Sequence, residues 1–156
     1  MQTTTETTVV RTLSIEASPE TVWAFLVDPV KATRWMGSSV SIDPTPGGEY
    51  RTDVIPGHVA SGEVVEATPY RRLVYTWGWE PREGADPNPV PPESSTVEIE
   101  LVADGEGTRL RFVHRDLPSA EAAESHSHGW DHYLERLQIV SAGGDAGVDP
   151  WLSGQM

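Results

Sequence analysis

The chain has no cysteine among its 156 residues. That removes a disulfide framework, a thiolate nucleophile and a cysteine-ligated zinc from the available chemistry. Positive charge is scarce: 11 lysines and arginines stand against 24 aspartates and glutamates, a formal net charge of −13. This balance argues against nucleic acid, whose phosphates demand a basic patch, and against anionic membrane surfaces. Its plainest consequence is solubility. No apolar run approaches the roughly 20 residues that a membrane-spanning helix requires. The start, MQTTTETTVVR, lacks the basic segment and apolar stretch of a secretion signal. These absences point to a cytoplasmic protein with no nucleic-acid partner and no membrane insertion. The apolar fraction is low at 37%, yet the chain carries six tryptophans, and each such ring brings a large burial area.

A chain of this length builds a single core, and no internal repeat or second domain is visible. Residues 1–156 therefore form one domain, with a folded core expected over 8–142 and a polar tail over 143–156. TVVRTLSIEA alternates, with Val9, Arg11, Leu13 and Ile15 on one face, which is the period of a strand. Ser18-Pro19-Glu20 reads as an N-cap, a proline at the first helical position and an acid in the first turn. Asp28-Pro29 repeats that signal for a second short helix reaching Trp35. Strands follow, joined by turns at Pro46–Gly48 and Pro56-Gly57. In RRLVYTWGW, residues Leu73, Tyr75, Trp77 and Trp79 share a face and are large enough to wall a cavity.

Glu80 to Glu93 is too rich in proline and glycine for either element and reads as a long loop, either a functional lid or a variable connection. TVEIELV and TRLRFVH alternate again, the second ending on His114. From Ser119 the spacing changes to three and four, through Trp130, Tyr133, Leu134, Leu137 and Val140, until Gly143-Gly144 stops it. The order is strand, two short helices, about six strands and one long helix. Such a chain makes an α+β fold: a curved antiparallel sheet with its apolar face covered by helices. A long C-terminal helix across a curved sheet is expected to leave a cleft.

ASPETVWAFLVDP, Trp35, GGEYR, RRLVYTW, STVEIEL, GTRLRFVHRDLP and HSHGW occur in that order. Together, from about Val9 to Val140, they resemble the START-like or SRPBCC superfamily, and within it the group named after the C-terminal domain of the heat-shock ATPase activator. The resemblance implies the helix-grip fold, with a hydrophobic cavity between the sheet and the C-terminal helix. It implies much less about activity, because the superfamily holds carriers, aromatases and cyclases, ring-hydroxylase subunits and stress proteins. Co-chaperone action resembles only the eukaryotic founder, which carries an additional N-terminal domain. Here only a threonine-rich leader precedes Val9, so a protein-partner or co-chaperone-like module is the weakest expectation.

His126, His128 and His132 crowd into seven residues at the start of the long helix. His128 and His132 are four apart, as zinc-binding pairs are, but no HExxH glutamate accompanies them. They are expected to be solvated, and no metal or cofactor is assigned. His114 and His126 are the stronger pair, since the family pattern frequently has histidines at both places. They either pin strand to helix by hydrogen bonds, the favoured reading, or orient a ligand in an apolar pocket. Arg11 shares parity with inward residues and needs an acidic partner or a carboxylate ligand if it is buried. Arg11, Trp35, Tyr75, Trp77, Trp79, His114, His126 and Trp130 thus form the candidate ligand-binding set. The expected function is a binder of a hydrophobic, aromatic or lipid-like small molecule, acting without catalysis. The alternative is a cyclase, aromatase or hydrolase-type enzyme using His114 or His126 as general base, with Tyr75 or Arg11 polarising the substrate. A homodimer is left open.

Overall fold

The computed structural model describes residues 7–81 and 90–153. Strand β1 (Val9–Ile15) leads into helices α1 (Pro19–Val27) and α2 (Pro29–Ala32). The expected caps form: Ser18 Oγ accepts from Thr21 N, and Asp28 Oδ1 accepts from Val30 N and Lys31 N. Strands β2 (Ser39–Ile42), β3 (Glu49–Ile55), β4 (His58–Thr68), β5 (Arg72–Trp79), β6 (Ser95–Asp104) and β7 (Gly107–Arg115) follow. Helix α3 (Ala120–Ser141) and a short 3-10 turn (Pro150–Ser153) complete the described chain.

All seven strands join one antiparallel sheet in the order β1-β7-β6-β5-β4-β3-β2. Only β1 leaves sequence order, closing against β7 with Val9 opposite His114. Register shifts between Asp53 and Ile55 and between Val64 and Glu66 bend β3 and β4, since a bulge adds local twist and curvature. Gly78 permits another close approach: a Cβ there would lie 1.7 Å from the Pro91 carbonyl oxygen. This contact, with the Trp79 N–H bonded to Val90 O at 2.7 Å, seats the end of the loop beside β5. Residues 82–89, the body of the expected loop Glu80–Glu93, lie outside the described residues.

Helix α3 is capped by Ser119, whose Oγ accepts from Ala122 N. It buries Trp130, Tyr133, Leu134, Leu137 and Val140, as the spacing predicts, and Ala123 as well. One core runs beneath α1 and α3, through Phe25, Leu26, Tyr75, Trp77, Phe112 and Leu110. The segment after α3 turns back: Trp151 stacks on His132 at 3.7 Å between ring centroids. This corrects the expectation for His132, which is half-buried beneath Trp151 and bonded to Asp149 Oδ1 at 2.9 Å. The tryptophan at the end of the chain supplies the cover that helical spacing alone cannot show. His128 is exposed, as expected.

Candidate functional site

Six of the eight sequence-predicted residues, Tyr75, Trp77, Trp79, His114, His126 and Trp130, converge where β5, β6, β7 and the first half of α3 meet. Inward alternation on β5 places Tyr75 and Trp77 under the helix, with Trp79 half-buried at the rim. On β7 the same alternation sends Phe112 and His114 inward, each 0% exposed. One strand–helix link away, α3 brings down His126 and Trp130. The rings are in contact: Trp77 lies 5.1 Å from Trp130, 5.4 Å from Trp79 and 5.9 Å from His114. His114 and His126 meet edge to face at 5.1 Å.

Their hydrogen bonds fix the chemistry. An indole N–H only donates. The Trp130 Nε1–H donates to His114 Nδ1 at 3.0 Å, so the His114 proton sits on Nε2. That N–H faces Ser95 Oγ at 2.8 Å, and the Ser95 hydroxyl donates to the Trp77 carbonyl at 2.7 Å. His126 has the opposite tautomer. Its Nδ1–H donates to Ala122 O at 2.8 Å, and its Nε2 accepts from Trp79 Nε1–H at 3.1 Å. Each histidine therefore receives one indole N–H and donates its own. Burial, with the His126 ring beside it, pushes His114 down from 6.5 to about 3. Burial also lowers His126, partly offset by its bond to the Ala122 carbonyl. Both rings are neutral near pH 7.

Ser95 and Tyr50 are members the sequence reading missed. Each was within its reach, because Ser95 shares parity with Val97, Ile99 and Leu101, and Tyr50 alternates with Thr52 and Val54. Tyr50 stacks on Tyr75 at 4.1 Å between ring centroids. Desolvation raises both phenols far above their ordinary range. Trp77 differs from all of these. It is 2% exposed, yet its Nε1–H has no hydrogen-bond partner among the described residues.

Trp35 and Arg11 stand apart from this cluster. Trp35 donates to Phe25 O at 2.8 Å and, with Leu26, Met36, Tyr50 and Tyr75, lines a hollow of about 10 Å³. Arg11 is turned outward to α3, with Nε 2.6 Å from Asp131 Oδ1 and Nη2 bonded to Ser127 Oγ. Its acidic partner therefore exists, and it is a protein carboxylate. Arg11 also lines an open groove of about 300 Å³ with Thr8, Val9, Ala123 and Glu124. The roomy cleft expected between sheet and helix is not seen around the rings: Trp130 meets Phe112 at 4.5 Å and Trp77 at 5.1 Å. Large rings on both surfaces fill the space. The 10 Å³ hollow is at the threshold for one water.

A curved antiparallel sheet gripping a long C-terminal helix, with two short helices after the first strand, defines a START-like protein of the SRPBCC superfamily. Within it, the chain belongs to the Activator of Hsp90 ATPase homolog 1-like protein family, whose sequence profile matches residues 16–142. Among solved structures, an AHSA1-like protein from Rhizobium etli is 43% identical, with a TM-score of 0.71 over 92% of this chain and 87% of that one. CalU16 from Micromonospora echinospora is 26% identical, with a TM-score of 0.67 over 86% of this chain and 76% of that one. The Aha1 dimer from Colwellia psychrerythraea reaches a TM-score of 0.71 over 88% and 97% of the two chains. At 18% identity it shows the fold alone. No curated protein matches the chain. Among the described residues, no helix is long and apolar enough to cross a membrane, and no three His, Asp or Glu side chains gather as metal ligands do.

Proposed function

We propose that this protein binds a small hydrophobic molecule of aromatic character, which it takes up between β5 and α3 without changing it chemically. The observation that carries this assignment is the Trp77 Nε1–H, buried amid rings and without a partner among the described residues. A buried donor without an acceptor costs about 1–3 kcal/mol, and a guest that covers it recovers that cost. A small-molecule site typically combines apolar and aromatic walls with a few polar groups, which is the composition around Trp77. Because the rings touch, a guest is admitted where they shift apart beside half-buried Trp79, and one that leaves the indole–histidine bonds in place is favoured.

Binding is favoured over catalysis by the state of the histidines. A general base must offer a lone pair within reach of the proton it removes. The accepting nitrogens of His114 and His126 are both occupied by indole N–H groups, and burial suppresses protonation of both rings. Native mass spectrometry of freshly purified protein, followed by titration with the uncharged dye phenylnaphthylamine, tests the assignment. The expected result is a retained mass, or saturable uptake of one dye per chain with tryptophan quenching. A protein that retains nothing and takes up no dye while fully folded is not a carrier.

A further inference from the structure

The geometry points to a specific class of guest: an uncharged planar aromatic molecule bearing a ring carbonyl or ether oxygen that accepts the Trp77 Nε1–H. This inference rests on the carrier reading above and sharpens it. The nitrogen acceptors of the cluster are taken, His114 Nδ1 by Trp130 and His126 Nε2 by Trp79. Ser95 completes the chain by accepting from His114 and donating to the Trp77 carbonyl. Among the described residues around these rings, the group left unpaired is a donor, the Trp77 N–H.

A guest that brings an acceptor satisfies this group, whereas a pure hydrocarbon leaves it unsatisfied. Charge is excluded on separate grounds. Among the described residues no ionised side chain belongs to the cluster, and a buried charge without a counter-ion is strongly disfavoured. Arg11, the nearest candidate for a carboxylate partner in the sequence, is held outside by Asp131 and Ser127. The flat surfaces of Trp77, Trp79 and Trp130 favour a planar ring system, which can stack or meet them edge-on.

Fluorenone and fluorene separate these requirements, because they share a planar frame and differ by one carbonyl. Fluorene is the more hydrophobic, so burial alone predicts that it binds more tightly. Competition against phenylnaphthylamine is expected to show fluorenone binding about tenfold more tightly than fluorene, the worth of one buried hydrogen bond. Fluorene carboxylate is expected to bind at least about tenfold more weakly than fluorenone. In Trp77→Phe the ketone-to-hydrocarbon ratio falls to one or below. Proton–nitrogen NMR of the unmodified protein gives a readout that does not depend on how that variant folds: fluorenone moves the Trp77 indole N–H resonance downfield, and fluorene does not. Equal affinity for ketone and hydrocarbon, or an indole resonance indifferent to the ketone, overturns the acceptor requirement and leaves the carrier reading intact. If neither compound binds and the dye is also refused, the carrier reading falls and this inference falls with it.

Discussion

His114 illustrates how a side chain can look catalytic in sequence and be structural in space. Its two nitrogens join β7 to α3 through Trp130 and to β6 through Ser95, and Ser95 passes the connection to β5. His126 makes a parallel link from α3 to Trp79 at the end of β5. Replacing both by glutamine breaks these bonds in a closed environment and is expected to cost about 2–4 kcal/mol of unfolding free energy. Urea denaturation measures this loss, and saturable dye uptake by the folded fraction is expected to persist. An unchanged midpoint would show that the histidines do not hold the fold. Much of this residue-level picture was legible. Alternation along TRLRFVH sends His114 inward, and the short link RDLPS keeps the start of α3 close to it. Tautomers were not legible, because they depend on which groups lie opposite each ring. Nor was the orphaned Trp77 N–H, since an absent partner leaves no trace in the sequence.

Among the elements, the segment after α3 departs most from its appearance. DAGVDPWLSGQM is polar and glycine-rich apart from Trp151 and Leu152, and its composition does not say what those two dock on. Yet Arg136, 8% exposed, donates to Ala146 O and Gly147 O in this segment and to Arg34 O and Trp35 O after α2. The guanidinium thus ties three elements together through backbone carbonyls. Trp151 and Asp149 secure the far end on His132. Helical spacing identified Tyr133, Leu137 and Val140 as buried but passed over Arg136, because an arginine is seldom enclosed unless it is fully paired. By contrast, the caps of α1 and α2 were read correctly, since capping chemistry is local. Arg136→Met keeps the stem volume and removes the donors. It is expected to lower stability by about 2–4 kcal/mol and to release Trp151 from its stack, seen as a loss of near-ultraviolet circular dichroism. If that signal and the thermal midpoint are both retained, the carbonyl cage does not organise the segment.

At the scale of the whole molecule, acidity and buried histidine pull stability in opposite directions as pH falls. Protonating carboxylates relieves the self-repulsion of a chain with a formal charge of −13. His114 acts the other way, because burial holds it at about 3 in the folded protein against 6.5 ordinarily. Below 6.5 the unfolded chain takes up a proton that the folded chain refuses. The stability tied to a neutral His114 is therefore complete above 6.5 and is lost as pH falls toward 3. The slope is about 1.4 kcal/mol per pH unit. Comparing the protein with His114→Gln isolates this contribution, since carboxylate effects and the lowered His126 are common to both. At pH 7 the unmodified protein should be the more stable by about 2–3 kcal/mol. At about that slope the gap should close within roughly two pH units below the ordinary histidine value, so the two denaturation curves converge between about pH 4 and 5. A gap that stays constant from pH 7 to 4 would mean that His114 is charged, or free to become so, inside the fold. The closed relay of Trp130, His114, Ser95 and the Trp77 carbonyl would then be wrong, and the case against His114 as a general base would fail with it.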